Sequence, residues 1–263
     1  TRLIPHDATQ STLVDAMAYA VTGGGKRIRA LLVFAAGELT GAHDAVLTDV
    51  ATAVEYVHAY SLVHDDLPCM DNDSLRRGMP SCHAKYGETF ALLAGDALLN
   101  YAYTLILEAI KISGYDRNFV NAAYAFSVLS GGSGVIGGQF LEFASTSPLS
   151  DVFDVYRRKT CYLMWGAVYA GAVIASLPQN TINRLNEYVY NYGFCFQICD
   201  DFADIKEKGE VSSQSIISLY GPGKSKKMAI EAADNAKKSL VMSGINSDFF
   251  TDLIDKLVGM LVD

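Results

Sequence analysis

Between His58 and Gly78 the chain reads HAYSLVHDDLPCMDNDSLRRG, which sets Asp65, Asp66, Asp71 and Asp73 beside Arg76 and Arg77. Carboxylates crowded directly behind an apolar run repel one another unless something bridges them, and a hard divalent cation that takes oxygen ligands is the natural bridge. Guanidinium forks suit phosphate oxygens, so the two features together describe a site for a metal-chelated phosphate ester. An ordinary reading stands beside this one: Asp-Asp before Leu-Pro can cap and end a helix, and Asp-Asn-Asp suits a turn. An EF-hand is excluded, since no Gly stands at the sixth loop position and no Glu closes the loop at the twelfth.

A second acidic element, FQICDDFAD from Phe196 to Asp204, tips the balance. Asp200 and Asp204 are four apart and share one helix face, with Gln197 one turn earlier on the same side. Two self-repelling acidic clusters in one chain are hard to explain by capping. Facing each other across a helical cavity, they could hold several Mg²⁺ ions, as metal sites in bundle cores do.

With both elements in view, the sequence resembles the trans-isoprenyl diphosphate synthases. Asp65-Asp66-x4-Asp71 matches the first aspartate-rich motif in its four-residue-spacer form, and Asp200-Asp201-x-x-Asp204 matches the second. GGGKRIR from Gly23, AGDALL from Ala94, GGQ from Gly137 and Lys159-Thr160 follow in the family's order, so the resemblance covers about Thr22 to Asp204.

The elements that must carry these residues read as helices. Ser11 to Thr22 is a short amphipathic helix stopped by three glycines, and Gly25 to Arg29 opens the next, with Lys26 and Arg29 three apart on one side. Cations at a helix start oppose the dipole, which makes sense if an anion binds there. Val46 to Leu67 carries His58 and Asp65 two turns apart on nearly one face. Thr89 to Ile112 and Phe119 to Phe143 read as long apolar helices. The second has glycines at 131, 132, 134, 137 and 138, each costing about 1 kcal/mol of helix propensity, so a kink or a close helix approach is expected. Val152 to Ala175 carries Lys159 and Thr160, Thr181 to Lys206 carries the second acidic motif, and Lys224 to Met242 and Asp248 to Val262 follow. Without an alternating strand pattern, the expected fold class is an all-α bundle in a single domain over 1–263.

Composition narrows the function. The net charge of −8 comes with no block of like charges, so nucleic acid is not an expected partner. Five cysteines, an odd count, argue against a disulfide framework and for a reducing, cytoplasmic setting, and Cys195 and Cys199 read as helix-packing residues. His6 and Asp7 interrupt the start of the chain, so no secretory signal is expected. Cys161 to Leu177 lacks charge but is short for a span, and a buried helix is expected there rather than a membrane crossing.

The resemblance implies the isoprenoid synthase fold, usually a homodimer, with three Mg²⁺ ions as cofactors. It implies metal ligation by Asp65, Asp66, Asp71, Asp200, Asp201 and Asp204, with Arg76, Lys159, Thr160 and Gln197 on the diphosphate of an allylic substrate. Lys26, Arg29, His58 and Arg77 would hold isopentenyl diphosphate, which attacks the allylic carbon. Tyr60 and Ser61, five and four residues before Asp65, would set the depth of the product cavity. An aromatic residue at the first of these positions resembles farnesyl diphosphate synthases, while LPCMDND also resembles geranylgeranyl diphosphate synthases. A terpene cyclase of the same fold would lack the isopentenyl ligands, and a non-catalytic regulatory subunit would lack the acidic motifs. The segment after Asp204 departs from the family, being too short for its lysine-bearing loop. Either the loop is lost or part of it is missing from the sequence, with the second expected, and Lys206 and Lys208 receive no role.

Overall fold

The computed structural model describes residues 11–41, 44–144, 148–209 and 215–262. The described elements are almost entirely helical. The chain divides into two compact units, Thr1–Leu31 with Thr48–Tyr115, and Leu32–Leu47 with Asp116–Asp263. The boundaries at 31/32 and 47/48 fall inside continuous helices, and the single-domain reading of 1–263 is carried forward as a proposal.

In the first unit, α1 (Ser11–Thr22), α4 (Cys82–Tyr86) and α5 (Glu88–Ile112) pack together. The helix α3 (Asp44–Asp65) buries Val50, Val54, Tyr56, Val57 and Val63, and its Tyr56 ring stacks on Tyr101 of α5 at 6.0 Å between centroids. Apolar residues at three- and four-residue intervals make this a buried stripe, which delivers the last turn of α3 to the first acidic motif. Gly24 (φ +94°) and Gly25 (φ +107°) turn the chain between α1 and α2 (Ile28–Gly37), so Lys26 lies in the connection and not in the helix.

One element absent from the sequence reading is a two-residue hairpin, β1 (Leu75–Arg76) against β2 (Met79–Pro80), with Leu75 paired to Pro80 and Arg76 to Met79. Its turn residues Arg77 (φ +54°) and Gly78 (φ +75°) both lie in the left-handed region, the conformation that suits the twist of a tight hairpin. Strands this short carry no alternating pattern for a sequence to reveal.

In the second unit, α10 (Gln179–Lys208) packs on α9 (Tyr162–Ile174) and α12 (Pro222–Ser243), α9 on α6 (Arg117–Ser130), and α12 on α13 (Asp248–Val262). Leu185, Tyr188, Tyr192, Cys195 and Ile198 line the buried face of α10, and the Tyr188 hydroxyl donates to the Phe250 carbonyl of α13 at 2.6 Å. Cys195 and Cys199 are buried free thiols, in keeping with a packing role. Nine of the thirteen residues of α9 are buried, Leu163, Met164, Gly166, Ala167, Val168, Ala170, Gly171, Ala172 and Val173, as expected for the uncharged stretch.

The glycine-rich helix expected over Phe119 to Phe143 is broken. It becomes α6 and α7 (Val135–Ala144), joined at 131–134, where a Cβ on Gly134 would lie 1.8 Å from the Leu129 carbonyl oxygen. The expected Val152 to Ala175 helix runs through α8 (Pro148–Val155), a π-helical stretch at Tyr156–Cys161 and then α9. A π stretch inserts one residue per turn and commonly marks a functional site. After the second acidic motif, α10 ends at Gly209 (φ +73°), and α11 (Ile216–Tyr220) follows the Ser215 cap in a chain without a gap in sequence. Residues 210–214, where the family's lysine-bearing loop would fall, lie outside the described residues.

Candidate active site

The first acidic motif sits where α3 ends. The four-residue spacer turns back on the helix: the Asp71 N–H donates to the Asp65 carbonyl at 2.9 Å, and the N–H groups of Met70 and Asn72 donate to the Leu67 carbonyl at 2.8 and 3.1 Å. The backbone therefore sets Asp71 beside Asp65. Asp66 behaves differently. It is buried at 2% exposure, and the Arg76 guanidinium donates to its carboxylate through Nε at 3.0 Å and through Nη2. Asp66 anchors the hairpin arginine.

A cationic set forms in the same unit. Arg29 Nη1 lies 3.3 Å from Nε2 of His58 on α3, and Arg77 Nη1 donates to the Gly24 carbonyl at 2.5 Å. A Cβ on Gly25 would fall 2.7 Å from Arg77 Nη1, so the glycine turn is the surface against which that guanidinium lies. Burial, then the charges of Arg29, Arg77, Arg27 and Arg76, hold His58 well below the usual histidine range. Burial and the neighbouring Arg27 and Arg76 likewise push Arg77 down. Arginines converging on a neutral imidazole are an electrostatic cost that an anion would relieve. Lys26 is exposed in the connection before α2.

One support of this set, Glu55, escaped the sequence reading. Glu55 accepts from the Ala30 N–H at 3.1 Å and from Arg27 Nη1 at 3.3 Å, fixing the start of α2 to α3. Its position three residues before His58 on one helix was the available signal. His64 backs Tyr60 instead. Its ring meets Tyr60 edge-on at 5.7 Å, its Nε2 lies 3.1 Å from the Leu92 carbonyl, and a Cβ on Gly95 would be 2.1 Å from that nitrogen. Tyr60 is thereby buried against a ring that fits only because α5 carries glycine there. Ser61 Oγ donates to the His58 carbonyl at 3.0 Å.

The second unit assembles its residues around Asp201 of α10. Gln197 Nε2 donates to Asp201 Oδ1 at 3.1 Å, Thr160 Oγ1 donates to Gln197 Oε1 at 2.6 Å, and the Tyr156 hydroxyl donates to Asp201 Oδ2. Burial raises the Asp201 carboxyl to about 6, the hydrogen bonds from Tyr156 and Gln197 work against that, and Asp200 and Asp204 add to it. Both Asp201 oxygens are engaged by side chains, whereas Asp200 and Asp204 are exposed. Lys159 pairs with Glu142 of α7, and a Cβ on Gly138 would lie 2.5 Å from the Lys159 backbone nitrogen. The glycines of α7 thus serve the close approach that their cost required.

Whether Mg²⁺ suits these residues turns on the donor set. Asp65, Asp71, Asp200 and Asp204 offer oxygen only, the hard donors Mg²⁺ prefers. Among the described residues no three His, Cys, Asp or Glu side chains gather as a closed metal cage. That also fits, because Mg²⁺ is typically held by one or two carboxylates with water and substrate phosphate completing the shell.

Known proteins define the class. The family model described as polyprenyl synthetase matches residues 10–249, and the chain belongs to that family of prenyltransferases. The farnesyl diphosphate synthase of Escherichia coli is 35% identical over 90% of this chain and 85% of its own length. A geranylgeranyl diphosphate synthase of Cyanophora paradoxa is 40% identical over 78% of this chain and 69% of its own. A crystal structure of an FPP/GFPP synthase from Zymomonas mobilis superposes with a TM-score of 0.87 at 34% identity, covering 99% of this chain and 92% of that one.

Proposed function

We propose that the chain is a short-chain prenyl diphosphate synthase that joins isopentenyl diphosphate to dimethylallyl or geranyl diphosphate and releases farnesyl diphosphate. Geranylgeranyl diphosphate is the second reading, favoured by relatives of that name at similar identity. The observation that carries the proposal is the cationic set around His58, which has the chemistry to take a diphosphate without metal, in a chain that also carries two acidic motifs suited to a metal-chelated one. Two chemically distinct diphosphate sites are what a condensation of two diphosphates needs, and what a cyclase with one substrate does not.

In this reading Asp65, Asp71, Asp200 and Asp204 hold the Mg²⁺ ions, three by family resemblance. When bound, Mg²⁺ supplies charge neutralisation of the diphosphate that leaves the allylic carbon. Lys159 exchanges Glu142 for a diphosphate oxygen, with Thr160 and Gln197 of the same unit as further ligands, and the family resemblance adds Arg76 to the allylic set. Lys26, Arg29, His58 and Arg77 hold isopentenyl diphosphate so that its alkene meets the allylic cation. The Arg29 contact at His58 Nε2 calls for the tautomer with its proton on Nδ1, which leaves that N–H as the donor for phosphate. Apolar side chains exclude water from the cation, and a proton lost to the departing diphosphate restores the alkene.

The partner we propose is a second copy of the chain. Leu107 and Ile112 of α5 and Tyr124 and Val128 of α6 are exposed apolar residues. Glu88–Ile112 is long and apolar enough to cross a membrane by length and composition, as is Arg117–Ala144 when counted through its break at 131–134, and a homodimer contact accounts for those faces without a span.

Substitution tests the site. Asp65→Ala and Asp200→Ala should each lower turnover by roughly two orders of magnitude or more while circular dichroism and the melting temperature hold. Near-normal rates at saturating Mg²⁺ would refute the assignment. Lys26→Ala should raise the KM for isopentenyl diphosphate and leave that for the allylic substrate, and equal effects on both would show the cationic site is misassigned.

A further inference from the structure

We infer that Tyr156, to which no role was assigned above, is the positioning residue for the diphosphate-binding side chains of the second unit. The inference rests on the reading of Lys159, Thr160 and Gln197 as allylic diphosphate ligands. Tyr156 opens the π-helical stretch that carries Lys159 and Thr160, and it is buried at 5% exposure with its ring 6.0 Å from Phe194 of α10. Its hydroxyl is engaged twice: it donates to Asp201 Oδ2 and accepts from the Ile216 N–H at 3.0 Å. Behind Ile216 the polar chain continues, since Ser225 Oγ donates to the Ile216 carbonyl at 3.1 Å.

The consequence reaches the ligands through a fixed order of donors and acceptors. With Asp201 Oδ2 satisfied by the phenol, Oδ1 is the acceptor for Gln197 Nε2 at 3.1 Å. The amide is then oriented, because its NH₂ faces a carboxylate and its Oε1 must face the Thr160 hydroxyl, which donates at 2.6 Å. The second N–H of Gln197 is the donor this order leaves for a phosphate oxygen. Remove the phenol oxygen and the half-buried Asp201 Oδ2 and the buried Ile216 N–H each lose a partner. Asp201 can then rotate toward other donors, and the Gln197 amide loses its enforced orientation. A tyrosine whose only task was to fill volume would need neither bond.

The test is Tyr156→Phe, which deletes one oxygen and keeps the ring. The KM for the allylic diphosphate should rise by about five-fold or more while the KM for isopentenyl diphosphate changes by less than about two-fold, and the Kd for inorganic diphosphate by calorimetry with Mg²⁺ should rise in step with the first. A fall in melting temperature with both KM values and the diphosphate Kd unchanged would overturn the inference, as would equal shifts in the two KM values. Should Tyr156→Phe fail to fold, Asp201→Asn reverses the donor order at the same point. It should raise the allylic KM with the Mg²⁺ concentration for half-activation unchanged, and a shifted Mg²⁺ requirement would mark Asp201 as a metal ligand and overturn the inference. If the wild-type chain condenses no allylic diphosphate at all, the functional reading fails on its own, and the calorimetric comparison still decides the role of Tyr156.

Discussion

His58 is the residue where burial and charge conflict most. Its depressed folded-state value means that the native protein resists the proton that the unfolded chain takes up below about pH 6.5. The unfolded state then binds more protons than the native one, so stability from this group is intact above that pH and falls as the pH drops below it. His58→Gln should abolish that part of the acid sensitivity, measured as urea midpoints at about pH 5.5 and pH 7.5. If the variant and the wild type lose stability in parallel, the imidazole is not held neutral. Inorganic diphosphate should reverse the effect, since a dianion beside Arg29 and Arg77 favours the imidazolium. Tyr60 is the second residue with a separable prediction. On the proposal that bulk one and a half turns before Asp65 sets product length, Tyr60→Ala should lengthen the product and Ser61→Phe should shorten it toward geranyl diphosphate. An unchanged product distribution in Tyr60→Ala would remove it as the floor of the cavity.

Glycine placement is the decisive feature at the level of elements. Gly138 has its absent Cβ 2.5 Å from a backbone nitrogen and 2.9 Å from Arg158 Cβ, and backbone cannot yield as a side-chain tip can. Gly138→Ala should therefore cost about 1 to 3 kcal/mol, several degrees in Tm, and raise the allylic KM by displacing the π stretch. Gly259, within α13, meets nothing within 4 Å, so Gly259→Ala should instead stabilise by roughly 0.5 to 1 kcal/mol. Opposite signs by calorimetry separate the two roles, and destabilisation by both would contradict the packing account. The long helices were legible in the sequence because buried stripes repeat at helical spacing: α1 and α13 begin and end where the pattern does, and α3, α5 and α10 differ from it by two residues or fewer at each end. The break between α6 and α7 was not legible, because a glycine-spiked run is compatible with a kink and with a full interruption. The π stretch left no trace either, since an inserted residue shifts which side chains share a face without altering their composition.

For the molecule as a whole, the residue types of the site were legible and their division of labour was not. The two acidic motifs declared themselves by charge and spacing, whereas the glycine-turn cations and Lys159-Thr160 stood out only through the family resemblance. That Asp66 serves Arg76, that Asp201 serves Gln197 and Tyr156, and that Glu55 fastens Arg27 depend on partners far away in the chain, which spacing cannot encode. We propose that this chain elongates an allylic diphosphate with isopentenyl diphosphate to a fifteen-carbon product. The most direct measurement is incorporation of radiolabelled isopentenyl diphosphate with dimethylallyl and with geranyl diphosphate in the presence of Mg²⁺, followed by chromatographic sizing of the dephosphorylated products. The account predicts incorporation from both starters with farnesol as the main product. No incorporation from either would contradict the synthase reading, and geranylgeraniol as the main product would contradict the assignment of Tyr60 as the floor.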